Sequence, residues 1–217
     1  NLALRRLGYD AAKLGLEKAL RQSGIRSLRV VGSTALHSSV AAAVRHAGIG
    51  EDNLILLPAD DDERLDLSRF EEALERIRRD GDATALVILN AGTWGTGAVD
   101  PLRKAIDIAR RYGARVHVDA AHGAMFLFSH RHVSMLDGID EADTVTLDPH
   151  KILGLKQGFG LLAFRDERDR EAIAKPENPV FPAPRQPVPM AARYSMDGSR
   201  PFNALGAWLL LRHVGRR

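Results

Sequence analysis

Short apolar runs of strand length, each separated from the next by a segment of helical periodicity, constrain this chain more than any other feature. Leu28-Arg29-Val30-Val31, Leu54-Ile55-Leu56-Leu57, Leu86-Val87-Ile88-Leu89, Val116-His117-Val118, Val145-Thr146-Leu147 and Leu161-Leu162-Ala163-Phe164 are the candidate strands. Between them, Leu67, Phe70, Leu74 and Ile77 recur at helical spacing after a cap at Asp66, with Gly81 as a stop. Leu102, Ile106 and Ala109 repeat the pattern after Pro101. Strands alternating with one-sided helices build a mainly parallel sheet covered by helices on both faces, so the expected class is α/β. Self-similarity of the solenoid kind is absent.

Composition removes several alternatives. The chain has 217 residues, 45% of them hydrophobic, enough for a sizeable core and for one large domain or one and a half. Its 31 basic and 28 acidic residues are intermixed, so the net charge of +3 builds no basic face and no nucleic-acid partner is predicted. With no cysteine there is neither a disulfide framework nor a thiolate metal site, and a reducing, cytoplasmic setting is the default expectation. No apolar run reaches the ~18 residues of a membrane span, and the first residues lack the layout of a secretory signal.

Asn1 leads straight into a helix-like pattern and Arg217 closely follows an apolar helix, so the domain is expected to be incomplete at both ends. Pro176, Pro179, Pro182, Pro184, Pro187 and Pro189 exclude regular structure from that stretch. It reads as a loop, either a linker or a mobile active-site flap. The division is thus a large domain over 1–174, a Pro-rich loop or linker over 175–198, and a helix over 199–217 leading toward a further domain.

Two segments carry the sharpest chemical signal. Val116-His117-Val118-Asp119-Ala120-Ala121-His122-Gly123 and Thr144-Val145-Thr146-Leu147-Asp148-Pro149-His150-Lys151 are apolar strands that end in polar residues. Ligands of open parallel sheets lie beyond the carboxyl ends of the strands, where Asp119 and Lys151 can face one pocket. Pyridoxal 5′-phosphate needs such a pair: a lysine to hold its aldehyde as an imine and an acid to keep its pyridine nitrogen protonated. The small Ala120 and Ala121 let a flat ring approach. Either segment alone would better suit a buried Asp–Lys ion pair capping two strands, and the two together reverse that preference. In a third segment, Ser33-Thr34-Ala35-Leu36-His37-Ser38-Ser39, a helix begins at the serines, and His37 is either a cap or a ring-stacking imidazole. His46, His130, His132 and His213 read as ordinary surface or capping residues. The glycine-rich Asn90-Ala91-Gly92-Thr93-Trp94-Gly95-Thr96-Gly97 allows close backbone approach but matches no nucleotide-binding motif.

Taken in order, these residues resemble the pyridoxal-dependent amino-acid decarboxylases of the aromatic-amino-acid and glutamate decarboxylase family. Leu136-Asp137-Gly138-Ile139 followed by Ala142 through Asp148-Pro149-His150-Lys151 is similar to the family's Schiff-base region. Gly198-Ser199-Arg200-Pro201-Phe202-Asn203-Ala204-Leu205 with Trp208 is similar to its later Ser-Arg-Arg-Phe stretch. The resemblance implies an aspartate-aminotransferase-like large domain, a homodimer with its sites at the interface, and decarboxylation of an L-amino acid to its amine and carbon dioxide. It implies that His37 stacks on the ring, Asp119 meets the pyridine nitrogen, Ala121 packs on the ring and Lys151 is the Schiff-base lysine. His150 would lie near the cofactor phosphate, with Thr93 and Asp148 among the cofactor contacts. It also implies that the phosphate loop lies upstream of Asn1 and that residues 1–217 alone hold the cofactor weakly.

Departures from the family pattern are Trp94 where a threonine is usual, Ile152 after the lysine, Lys156-Gln157-Gly158 in place of Pro-Tyr-Gly, and Phe181 near the position of a loop tyrosine, with Tyr194 the next candidate. The alternatives are another enzyme of the same fold, such as an aldolase, aminotransferase or desulfurase, and a non-catalytic homologue.

Overall fold

The computed structural model describes residues 8–173 and 202–214. Every expected strand is present: β1 Leu28–Ser33, β2 Leu54–Leu57, β3 Ala83–Asn90, β4 Arg115–Asp119, β5 Thr144–Leu147 and β6 Leu161–Phe164. They form a six-stranded sheet in the order β2-β1-β3-β4-β5-β6. All neighbours are parallel except β5 and β6, which pair antiparallel. The chain runs from β1 outward to β2 and then returns to the other side of β1 as β3. That reversal opens a crevice at the carboxyl ends of β1 and β3, where ligands of such sheets settle.

The helices are α1 Ala11–Leu14, α2 Leu16–Ser23, α3 Ser39–His46, α4 Leu67–Arg79, α5 Leu102–Arg111, α6 Pro149–Ile152, α7 Glu167–Ile173 and α8 Ala204–Val214. α4 starts where its cap predicts, because Asp66 Oδ1 accepts the N–H groups of Ser68 and Arg69 at 2.9 and 3.2 Å. Beyond its end, Gly81 adopts a left-handed φ of 76°. α8 occupies part of the expected 199–217 helix. The Pro-rich segment 175–198, with Phe181 and Tyr194, lies outside the described residues.

Strand alternation divides the apolar residues between two layers. On one face, Val31, Val87, Leu89, Val116 and Val118 pack under Phe70, Leu74 and Ile77 of α4 and Leu102 and Ile106 of α5. On the other, Val30 and Ile88 meet Val40 and Val44 of α3. Beyond β3 this second face changes character: β4 and β5 present Arg115, His117, Asp119, Thr144 and Thr146 to it, and these residues line a cleft.

Asp100 fastens the end of β3. It is 3% exposed, and its two oxygens accept the N–H groups of Leu65 and Asn90, both at 2.7 Å. Burial outweighs those two bonds and pushes its carboxyl up to about 6.

Candidate active site

Two glycines weld together the loops that follow β3 and β4. The Gly123 N–H donates to the Ala91 carbonyl at 2.9 Å, and a Cβ on Gly123 would lie 2.2 Å from that oxygen. Gly92, at φ 91°, would bring a Cβ within 2.9 Å of the Gly123 nitrogen. The first loop is a tight hairpin in which Gly92 and Thr93 donate to the Ala98 carbonyl and Gly97 to that of Thr93. Thr93 Oγ1 lies 2.9 Å from Thr96 Oγ1 and accepts the Ala98 N–H, so the hairpin is braced from inside. Trp94, at its tip, is 74% exposed.

Between these loops and the polar face of β4 and β5 lies a cleft of about 930 Å³. His37, Thr93, Asp119, Ala121, Asp148 and Lys151, drawn from four separate stretches of sequence, all line it. Ala120 does not. It is fully buried in the core under α4 and α5, because strand alternation carries it to the opposite face from Asp119. Only Ala121 of the two alanines is available to a ring.

Asp119 ends β4, with Oδ1 accepting the Ala121 N–H at 3.1 Å and Oδ2 without a partner among the described residues. Lys151 sits on α6, a single turn opened by Pro149. Its Nζ lies 3.3 Å from Asp148 Oδ2, three residues back, and no ion pair joins it to Asp119 among the described residues. The bland possibility of an Asp119–Lys151 pair is therefore not what the structure forms. His150 Nε2 is 3.9 Å from the same Asp148 oxygen, while its Nδ1 is buried with no hydrogen-bond partner. At the start of α3, Ser38 makes no side-chain cap, contrary to the expectation from its position. The His37 ring does this work instead: Nδ1 accepts the Ser39 N–H at 3.2 Å and lies 2.8 Å from Ser39 Oγ. Nε2 of that ring has no partner among the described residues.

Two further histidines line the cleft and drew no role from the sequence. His122 makes no side-chain hydrogen bond among the described residues, and burial together with the Lys151 charge pushes it below the usual imidazole range. His117 lies between two threonine hydroxyls of β5, 2.9 Å from Thr144 Oγ1 and 3.0 Å from Thr146 Oγ1. Burial lowers its pKa as well, against a smaller opposing effect of Asp119. The period of two along β4 was the available signal, since it places His117 on the face of Asp119.

An unpaired carboxylate oxygen and an amine beyond the ends of adjacent strands, with the small Ala121 on the same cleft, suit a flat, aldehyde-bearing cofactor; His150 does not line the cleft, but its buried, unpartnered Nδ1 lies next to Lys151 in the chain. The donor set and the orphaned His150 Nδ1 fit pyridoxal phosphate. No group of three or more His, Asp or Glu side chains among the described residues suits a metal ion, and no described helix is long and apolar enough to cross a membrane.

The fold and this cleft define a protein of the aspartate-aminotransferase-like, pyridoxal-phosphate type. The pyridoxal-dependent decarboxylase conserved domain matches residues 10–217, and the chain belongs to that family. It is 34% identical to the L-2,4-diaminobutyrate decarboxylase of Rhizobium meliloti (strain 1021) over 99% of its own length and 41% of that protein's. It is 33% identical to the aspartate 1-decarboxylase of Aliivibrio fischeri, over 87% of this chain and 34% of that one. Among solved structures, Oryza sativa TDC with PLP and tryptamine matches with a TM-score of 0.85 and 27% identity, covering 99% of this chain and 43% of that one. Mouse CSAD in its apo form matches with a TM-score of 0.84 and 27% identity, covering 99% and 44%. The chain thus spans about two-fifths of the length of these proteins.

Proposed function

We propose that the whole protein decarboxylates an L-amino acid to the corresponding amine, using pyridoxal 5′-phosphate held in the cleft beneath His37 and against Asp119 and Lys151. The observation that carries this is the convergence of Asp119 and Lys151 on one cleft at the carboxyl ends of β4 and β5, with one Asp119 oxygen free to take a partner. Bound there, the cofactor supplies an electron sink for the pair released when the carboxylate leaves as carbon dioxide.

The side chains then have separate tasks. Lys151 would hold the cofactor through its aldehyde, and Asp148, 3.3 Å from Nζ, would orient the amine for it. Asp119 would keep a proton on the ring nitrogen, a preorganised charge at the end of β4. His37, fixed through Nδ1 by Ser39, and Ala121, which lines the same cleft, would take the two faces of the ring. His150, whose Nδ1 has no hydrogen-bond partner among the described residues, would be the group to meet the phosphate, and Thr93 would contribute from the β3 loop.

The amino acids in the names of the two relatives, L-2,4-diaminobutyrate and aspartate, are the first substrates to assay. The whole protein is read as a homodimer, a reading supported by the exposed apolar side chains of Leu127, Phe128, Val133 and Met135. Borohydride reduction of the cofactor-loaded full-length protein, followed by peptide mass analysis, tests the assignment. Label is expected on Lys151 and lost in Lys151→Ala; label on any other lysine overturns it.

A further inference from the structure

The proposed chemistry makes no use of His117, although this side chain shares its strand face with Asp119. In the parallel register Thr144 lies opposite His117 and Thr146 opposite Asp119. Both ring nitrogens are engaged by the hydroxyls of these two residues, at 2.9 and 3.0 Å. A hydroxyl donates or accepts as required, so a neutral imidazole is fully satisfied between two of them without a counter-ion. A charged one would bear the desolvation cost of its burial.

The formal charges nearest to it are already paired, while the imidazoles of His37 and His122 line the same cleft. On its own strand, Arg115 is paired with Asp143 and Asp169. On β5, Thr144 and Thr146 are uncharged, and at the end of that strand Asp148 is paired with Lys151. On β3, the residues in register with His117 and Asp119 are Ile88 and Asn90. Among the described residues Asp119 therefore has no ion-pair partner; two imidazoles act on it electrostatically, His122 in the loop beyond β4 and His117, which shares its strand face.

We propose that the Thr144–His117–Thr146 clamp is a positioning device that holds the imidazole uncharged and in place, so that Asp119 is reserved for the protonated ring nitrogen of the bound cofactor. This rests on the reading in which Asp119 meets that nitrogen. Released from the hydroxyls, the ring gains by taking a proton and turning to Asp119, which then binds the cofactor ring less well.

Replacing both hydroxyls tests this in the full-length protein. In the cofactor-free protein carrying Thr144→Val and Thr146→Val, a histidine NMR titration should show the His117 midpoint raised by about one unit, and affinity for pyridoxal 5′-phosphate should fall by about tenfold. Thr144→Ser with Thr146→Ser keeps the hydroxyls and should restore both values. Should the valine protein fail to fold, His117→Gln against His117→Lys serves: the neutral amide should keep the affinity and the permanent cation should lower it by about tenfold. An unchanged His117 midpoint with unchanged affinity in the valine protein, or equal losses in the glutamine and lysine proteins, overturns the proposal. Asp119→Asn in the parent protein separates the two levels. If it leaves cofactor affinity and absorption untouched, the role of Asp119 itself fails; if it impairs them while the clamp substitutions do not, only the clamp fails.

Discussion

On β4, Val116 and Val118 are buried against α5, while His117 and Asp119, which alternate with them, face the cleft; on β5, Val145 and Leu147 pack on the first side while Thr144 and Thr146 line the second. The same two strands therefore hold the fold with one set of residues and present the chemistry with the other. Burying a valine or leucine side chain stabilises by roughly 1.5–3 kcal/mol, so the covered face can anchor strands whose opposite face carries polar groups. Substitutions on the first face should change stability without touching the cleft's chemistry, and substitutions on the second should do the reverse.

The largest effect is expected from Phe70→Ala on the covered side. Phe70 of α4 is fully buried, and its loss should cost about 3–5 kcal/mol of unfolding free energy, measured by urea denaturation. The spectrum of bound cofactor in whatever remains folded should be unchanged; an altered spectrum would break the separation of the faces. Asp119→Asn is the mirror experiment. It should lower kcat by about 10²–10³-fold through loss of a preorganised charge, with the urea midpoint nearly constant. Equal losses of stability and turnover would mean that the open face also holds the fold.

Asp100 joins the two sides, since it ties the start of the cleft hairpin to the loop before α4. Asp100→Ala strands the buried N–H groups of Leu65 and Asn90, at about 1–3 kcal/mol each, and should loosen both faces together. It should also remove a pH dependence. Because burial raises the folded carboxyl to about 6, the folded state binds more protons than the unfolded one between the ordinary carboxylate range and about pH 6. This contribution is therefore full at pH values below that window and is lost as pH rises through it. Unfolding free energies across pH 4–7 should show this falling component in the parent and not in the alanine protein. The smallest effect is expected at the edge of the covered side: Asp66→Ala removes the α4 cap, at about 1 kcal/mol, and should leave cofactor binding alone.

Much of this arrangement was legible in the chain. The strands and the helices α4 and α5 follow from apolar spacing, and Asp66 and Gly81 mark the limits of α4 as capping and stop residues should. The helix start at Ser39 was legible too, but not its cap. Ser38 and Ser39 are better cap residues by type than His37, and only the folded turn puts the imidazole nitrogen nearest the Ser39 N–H. The two alanines after Asp119 read alike in sequence, yet one is core and the other cleft wall. His117 was concealed for a related reason: a histidine inside an apolar run reads as interior, and its partners Thr144 and Thr146 lie 27 and 29 positions away.

By itself, the sequence determined the elements, their alternation and the pairing of an acid with an amine at strand ends, because periodicity, capping and turn chemistry act within a few neighbouring residues. Only the tertiary structure decided that β2 lies beyond β1 and that Asp119 and Lys151 share a cleft without pairing. It alone decided that Asp100 is sealed against Leu65 and that His117 is clamped by two hydroxyls. Those outcomes depend on register and packing between segments far apart in the chain, and no local pattern of residues encodes which distant partner a polar side chain will meet.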